Sequence, residues 1–327
     1  VLSADEGHAE ALANLYVRGY AGKYPLEEFT DPDRVRKAIT ERKYVWMVGI
    51  SDKEVVGSTV GILADWNRSF EPGRAIVYPP QFRKRGIIQR LTFGVVEECF
   101  KRYDIGWFAM RDATGVRFAE KNGLGLLGFL PGLHKVEERE THLMYATIED
   151  KFRRTRLAHK ATLDRYGQAV INAEVELDLD TSFGEYPPEV IIGDDSGEHA
   201  ETDGVITTYH FERLDNAVLI GEIKTDGDQI NGLIKLLSNV PLLRNADYVH
   251  VGVLADKFEA HRRLREIGFE MCAFIPGWFF RNGRRYDCIR FVKHSESRSL
   301  DKEVASRVDM LREIYDSLWG SSEETLL

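Results

Sequence analysis

The chain has 327 residues, room for two domains of ordinary size. Hydrophobic residues make up 43% and charged residues 30%, a globular composition that excludes a disordered chain. The 44 Lys and Arg against 53 Asp and Glu leave a net charge of −9, which argues against a dedicated nucleic-acid binder. No apolar run approaches the roughly 20 residues of a membrane helix.

The opening residues Val1-Leu2-Ser3-Ala4-Asp5 are neither a signal nor a transit peptide. The absent initiator methionine predicts that the sequence begins inside a longer chain. Ala9, Leu12, Leu15 and Tyr16 share one face of a helix over residues 8–22. Asp31-Pro32-Asp33 starts a second helix, with an N-cap followed by proline. Residues 44–50 and 55–63 read as an antiparallel hairpin turning at Ser51-Asp52-Lys53. A polar loop over 65–73 leads to a third strand over 74–78, and Pro79-Pro80 leads to a long helix with Leu91, Val95, Val96 and Phe100 on one face. A strand over 105–110, a helix over 114–121 stopped by Asn122-Gly123, and closing strands over 124–130 and 143–148 complete the first half.

Residues 150–166 read as a connecting helix with a solvated basic face carrying Lys151, Arg153, Arg154, Arg156 and Lys160. Alternation over 169–180 predicts a strand whose outer face shows Glu174, Glu176, Asp178 and Asp180 to solvent; no nearby histidine makes them a metal site. Residues 193–204 read as a loop. Cys99, Cys272 and Cys288 form no CxxC pair, and their odd number predicts buried thiols in a reducing, cytoplasmic setting.

A repeat is visible. Phe118 to Leu124 followed by Gly128-Phe129-Leu130-Pro131-Gly132 matches Arg263 to Phe269 followed by Ala273-Phe274-Ile275-Pro276-Gly277. Strands flank both copies, at 105–110 and 143–148 and at 249–254 and 286–292. Upstream of the second copy lie a strand over 217–223 and a helix over 229–237. Duplication is the better reading, and it predicts an α/β (α+β) protein with two mixed, mostly antiparallel sheets flanked by helices. The expected domains are 1–148, a connecting helix 149–168, 169–298, and a C-terminal helix and tail 299–327.

The informative junction is strand, Arg83-Lys84-Arg85-Gly86, helix. A helix N-terminus leaves amides unpaired and partially positive, Gly86 permits close approach, and the basic side chains add charge, so a pyrophosphate fits there. The alternative is an ordinary turn with surface arginines.

In this setting the sequence resembles the GNAT superfamily of acyl-CoA-dependent N-acyltransferases, whose loop reads Q/R-x-x-G-x-G/A. Here it is Arg83-Lys84-Arg85-Gly86-Ile87-Ile88, with Pro80 and Phe82 ahead of it and Phe118 to Gly123 after it. The resemblance covers about residues 1–148, and the second half resembles the closing part of the same fold, as in tandem members with one degenerate copy. It implies acetyl-CoA or another acyl-CoA as cofactor, a small-molecule amine as acceptor, and contacts from Tyr78, the 83–88 loop and Arg111.

Two positions depart from the pattern. Ile88 places a branched side chain where the family has Gly or Ala, and Ala119 stands where a thiolate-protonating Tyr is common. The second half has Lys224-Thr225-Asp226-Gly227-Asp228-Gln229 in place of the loop, and its aspartates repel a pyrophosphate, so one CoA site is expected.

Amine acylation needs a proton acceptor and a polarised thioester carbonyl. Glu71 is the leading base, with His134, Glu137 and His142 as weaker candidates. The Tyr78 amide is the expected carbonyl donor, and Tyr145 a proton donor to the thiolate. Asp65-Trp66-Asn67-Arg68 is expected to line the acceptor pocket, and Trp278-Phe279-Phe280-Arg281 to seal the two halves together. A binding module without turnover and an aminoacyl-tRNA-dependent transferase are the alternatives. Neither nucleic acid nor membrane is an expected partner, and open strand edges admit a homodimer.

Overall fold

The computed structural model describes residues 1–320 except 136–138, 180, 213, 214, 298 and 300, and all side chains within them but those of His134 and Lys135. Its chain divides into two compact units, Val1–Phe108 and Ala109–Leu327. The division falls inside the expected first domain, 1–148.

In the first unit β1 (Leu2–Ser3) lies antiparallel on β2 (Tyr44–Ser51), which forms the expected hairpin with β3 (Glu54–Ala64). α1 (Ala9–Gly19) buries Ala9, Leu12, Leu15 and Tyr16, and α2 (Pro32–Thr40) is capped by the Asp31 carboxylate. β4 (Ser69–Val77) starts within the stretch read as loop, because Ser69 to Pro72 pair with β3. α3 (Ile87–Phe100) buries Ile87, Leu91, Val95 and Cys99 along one stripe. It seats closely on the hairpin because Gly61 has no side chain; a Cβ there would lie 2.8 Å from the Cys99 sulfur. At β5 (Ile105–Met110) the chain passes from the first unit to the second.

The second unit begins with α4 (Ala113–Lys121), capped by Asp112, and the strands β6 (Gly125–Lys135) and β7 (Arg139–Ile148). The connecting helix is not continuous. α5 (Asp150–Thr155) gives way to β8 (Arg156–Leu157) before α6 (Lys160–Glu176). Arg156, expected in solvent, is buried, and its guanidinium holds the buried Asp287 carboxylate through two contacts of 2.8 Å and Glu174 through a third of 2.8 Å.

The strand read over 169–180 is also wrong: most of it is the end of α6. Ala173 and Leu177 fit a helical stripe as well as alternation, Val170 fits only the stripe, and Val175, which alternation buries, is 74% exposed. Asp180 lies outside the described residues.

There follow β9 (Ile191–Ile192), β10 (Glu198–Thr202), β11 (Val205–Glu212), β12 (Ala217–Lys224), α7 (Gln229–Asn239), α8 (Pro241–Arg244), β13 (Tyr248–Leu254), α9 (Phe258–Glu266), β14 (Glu270–Arg281), β15 (Arg284–His294) and α10 (Lys302–Gly320). β10 occupies part of the stretch read as loop, because pairing with β11 outweighs its polar composition. The architecture is mixed α/β, as expected.

The order β2-β3-β4-α3-β5-α4-β6-β7 recurs as β10-β11-β12-α7-β13-α9-β14-β15, with α8 as an addition. The Pro-Gly pairs carry the likeness further. Gly132 and Gly277 both have positive φ, and the carbonyl of each accepts from a buried arginine of the next strand, Arg139 at 2.8 Å and Arg285 at 3.0 Å.

Separate sheets for the two halves are not found in this unit. β6 meets β14 at Gly128 and Ala273, so the closing hairpins share one sheet. A Cβ on Gly128 would lie 2.3 Å from the Cys272 carbonyl oxygen, so only glycine permits that seam. α10 packs beside it, with the Tyr315 hydroxyl donating to the Leu127 carbonyl at 2.9 Å. Among the described residues no helix is long and apolar enough to cross a membrane.

Replacing Arg156 by Met leaves the Asp287 carboxylate buried without its cation. The variant is expected to lose about 3–5 kcal/mol, read as a lowered denaturation midpoint. A midpoint equal to that of the unaltered chain would show the pair to be dispensable.

Candidate active site

The 83–88 loop lies wholly in the first unit. Arg83 is extended, Lys84 has φ +60° and Gly86 has φ +70°, a left-handed pair that turns the chain into α3. Gly86 is the N-cap, no side chain caps the helix, and no acid occupies its first turn. The first amides of α3 and the positive end of its dipole are therefore left to solvent.

Arg83, Lys84, Arg85 and Arg90 are exposed and have no carboxylate partner among the described residues. Arg85 lies over the Phe82 ring at 5.3 Å. Phe82, Arg85, Ile87 and Arg90 border a cleft of about 230 Å³ beside Gly49 to Ser51. Ile88 does not crowd the loop. Its side chain packs on the core cluster of Leu91, Val95 and Phe70, while its amide stays in the first turn.

The strand leading to the loop is shaped by a bulge. Between the pairs Ser58–Ile76 and Val60–Gly73, Thr59 faces two residues, Arg74 and Ala75. Arg74 has φ +53°, and its carbonyl accepts from the buried Tyr16 hydroxyl at 2.5 Å. Parallel pairing with β5 joins Ser69 to Ile105 and Phe70 to Gly106, at the start of both strands. Among the described residues no other strand pairs with that edge of β4 farther on.

The Tyr78 amide is not the donor the resemblance implies. It donates to the Val56 carbonyl at 3.1 Å. Strand alternation then turns the Val77 N–H away from β3, toward the edge that β5 leaves. Sequence reading missed Val77 because backbone direction depends on the register after the bulge. Arg18 stacks over the Tyr78 ring at 5.2 Å.

Glu71 sits on β4, opposite Ile62, rather than in a loop, and is half-buried. Asp65 accepts from the Tyr103 hydroxyl at 2.7 Å, Asn67 is fully buried, and Arg68 grips Asp104 at 2.9 and 3.0 Å.

The remaining candidates belong to the second unit. Arg111 lies 3.6 Å from Glu140, which is 3.5 Å from His142 Nε2, with both latter residues buried. Tyr145 is 1% exposed, and burial pushes its hydroxyl up to about 12 against the pull of Arg307. The side chain of His134 and the whole of Glu137 lie outside the described residues. Trp278 is buried with Arg290 stacked on it at 5.5 Å. All three cysteines are buried free thiols, and burial pushes Cys99 up to about 12.

The matching helix start in the second unit is closed to anions. Asp228 caps α7 by accepting from the Asn231 amide at 2.8 Å and pairs with Arg263 at 2.8 Å. Those bonds hold its carboxyl below the usual range against the opposing effect of burial.

No protein-family model matches the chain, and no curated protein does. Solved structures similar to it include the ribosomal-protein-S5-alanine acetyltransferase from Vibrio fischeri, at 14% identity over 46% of this chain and 92% of that one, with a TM-score of 0.40. The ribosomal-protein-alanine N-acetyltransferase from Brucella melitensis is 17% identical over 45% of this chain and 98% of that one, with a TM-score of 0.39. The PaiA N-acetyltransferase from Thermoplasma acidophilum, in complex with coenzyme A, is 14% identical over 45% of this chain and 96% of that one, with a TM-score of 0.33.

A Cβ on Gly86 would meet nothing within 4 Å, so Gly86→Ala tests backbone conformation alone. It is expected to cost about 1–2 kcal/mol, with Gly86→Asn recovering part of the loss. Equal urea midpoints for Gly86→Ala and the unaltered chain would show that the left-handed turn is not required.

Proposed function

We propose that the chain is an acyl-CoA-dependent N-acyltransferase that moves an acetyl or similar acyl group to the amine of a small molecule. Its donor site is the 83–88 loop. The observation that carries this reading is the α3 start: a 14-residue helix with no side-chain cap, entered through Arg83, Lys84 and Arg85, which have no carboxylate partner among the described residues. The residues fit a pyrophosphate, because the first-turn amides supply donors, the loop supplies positive charge, and Ile88 leaves its amide in place.

When bound, the CoA thioester supplies an activated acyl group. Arg83, Lys84, Arg85 and the α3 amides hold the anion. The Val77 N–H is the backbone donor for a developing negative charge on a carbonyl. Glu71 is the carboxylate we assign to accept the amine's proton, directly or through water. Tyr145 is assigned to the core rather than to proton transfer because its side chain is buried. The repeated element order and the paired Gly–Arg contacts support a tandem origin with a second copy that has lost its loop.

Calorimetric titration of acetyl-CoA tests the donor site. The unaltered chain is expected to bind at micromolar concentration. The Arg83→Ala/Arg85→Ala double variant is expected to bind at least about tenfold more weakly, the scale of one lost charge-assisted hydrogen bond. Binding unaffected by the double change would move the donor site elsewhere. No binding of any acyl-CoA by the unaltered chain would remove the transferase reading.

A further inference from the structure

The parallel pair β12–β13 also parts, but its gap is filled by the chain itself. The two strands pair at Ala217–Tyr248, Val218–Val249 and Leu219–His250. Beyond that point the same edge of β13 pairs antiparallel with β9, at Gly252–Ile192 and Val253–Ile191. The opposite edge stays paired with β15 from Tyr248 to Leu254. β9 therefore occupies the wedge that opens when β12 leaves.

The wedge is built around this segment. A Cβ on Gly221 would lie 2.0 Å from the Asp194 carbonyl oxygen, one on Gly193 would lie 2.6 Å from the Gly221 Cα, and one on Gly252 would lie 2.9 Å from the Ile192 carbonyl oxygen. Gln229, at the start of α7, reaches in with its side-chain amide. Its Oε1 accepts from the amides of Val190 at 3.1 Å and Ile191 at 2.9 Å, and its Nε2 donates to the Ile223 carbonyl at 2.7 Å. The Leu254 amide donates to the Val190 carbonyl at 3.1 Å, and the Thr208 hydroxyl to the Asp194 carbonyl at 2.7 Å. Ile191 and Ile192 are 1% and 4% exposed, yet the chain on either side of them is irregular.

Open sheets take ligands in the crevice beyond the carboxyl ends of parallel strands. Here the crevice satisfies main-chain groups of an extended segment and buries its side chains, which is how sheet edges recognise peptides. We propose that the β12–β13 crevice is a groove for an extended peptide, and that residues 189–194 of this chain are its resident occupant. The groove is self-occupied: a competing extended segment enters only when the resident one leaves. This inference is independent of the donor site proposed in the first unit.

The test removes the occupant and leaves the groove intact. Ile191→Asp/Ile192→Asp places two charges in buried positions and is expected to release the segment. A fluorescent synthetic peptide of residues 187–196 is then expected to bind the variant at least tenfold more tightly than it binds the unaltered chain. The same peptide should fail to bind when Gly221→Ala is added. Equal or absent binding to the folded double variant overturns the proposal.

A second reading does not depend on the fold of that variant. In Gln229→Ala, hydrogen exchange at amides 190–194 is expected to quicken at least tenfold while the β13 amides of 249, 251 and 253, which alternate toward β15, stay protected. Unchanged exchange, or joint loss of protection in both segments, makes β9 an inseparable core strand and overturns the proposal as well.

Discussion

Two parallel strands that part create a debt of backbone hydrogen bonds. Every N–H and C=O on the facing edges beyond the fork needs a partner or water. β4 and β5 are joined only at their first residues, and β12 and β13 separate after Leu219 and His250. What enters each fork decides what that part of the chain can do. In the first unit the edge of β4 is left open among the described residues, and a bulge at Arg74 and Ala75 sets which amides face it. The Tyr16 hydroxyl fixes that bulge from behind, so a residue of α1 governs the direction of the Val77 N–H without approaching the loop.

The helix that follows each fork is tuned to the same end. α3 begins on a left-handed glycine with no cap, and its entering residues are basic. α7 begins on Asp228, whose carboxylate satisfies the first-turn amide of Asn231 and draws in Arg263. One N-terminus has partial positive charge to spare, while the other is neutralised by its own chain. A carboxylate there disfavours an anionic ligand whatever happens in the fork, and Gln229 next to it turns its amide inward to hold β9.

Much of this was legible in the sequence, for physical reasons. The Asp31-Pro32 start, the 44–63 hairpin and the stripe of α3 follow from local capping and period, and they stand as read. The basic loop and the repeat were visible because both depend on residue type at fixed spacing. Errors came where tertiary pairing decides. Residues 171–179 alternate while 169, 170, 173 and 177 fit a helical stripe, and the exposure of Val175 with the burial of Ala169, Val170 and Ala173 chooses the helix. Arg156 looks like its solvated neighbours because its partner, Asp287, is remote in the chain. The Tyr78 amide and the Glu71 carboxylate were placed by analogy, and the register of β4 gives one a partner and moves the other onto a strand.

The Pro-Gly repeats show how a shared backbone survives different demands. Gly132 and Gly277 keep the same left-handed turn, and an arginine from the next strand still bonds each carbonyl. Around that constant the partners diverge. Arg139 also contacts Asp247, at 3.2 Å, whereas Arg285 lies over the rings of Phe152 and Phe280. A buried guanidinium needs acceptors or aromatic faces, and either environment satisfies it. The turn is therefore held by local geometry common to both copies, while the fork and the helix start, where ligands enter, are free to change. A duplicated fold can in this way keep its frame with one open fork and one filled by its own chain.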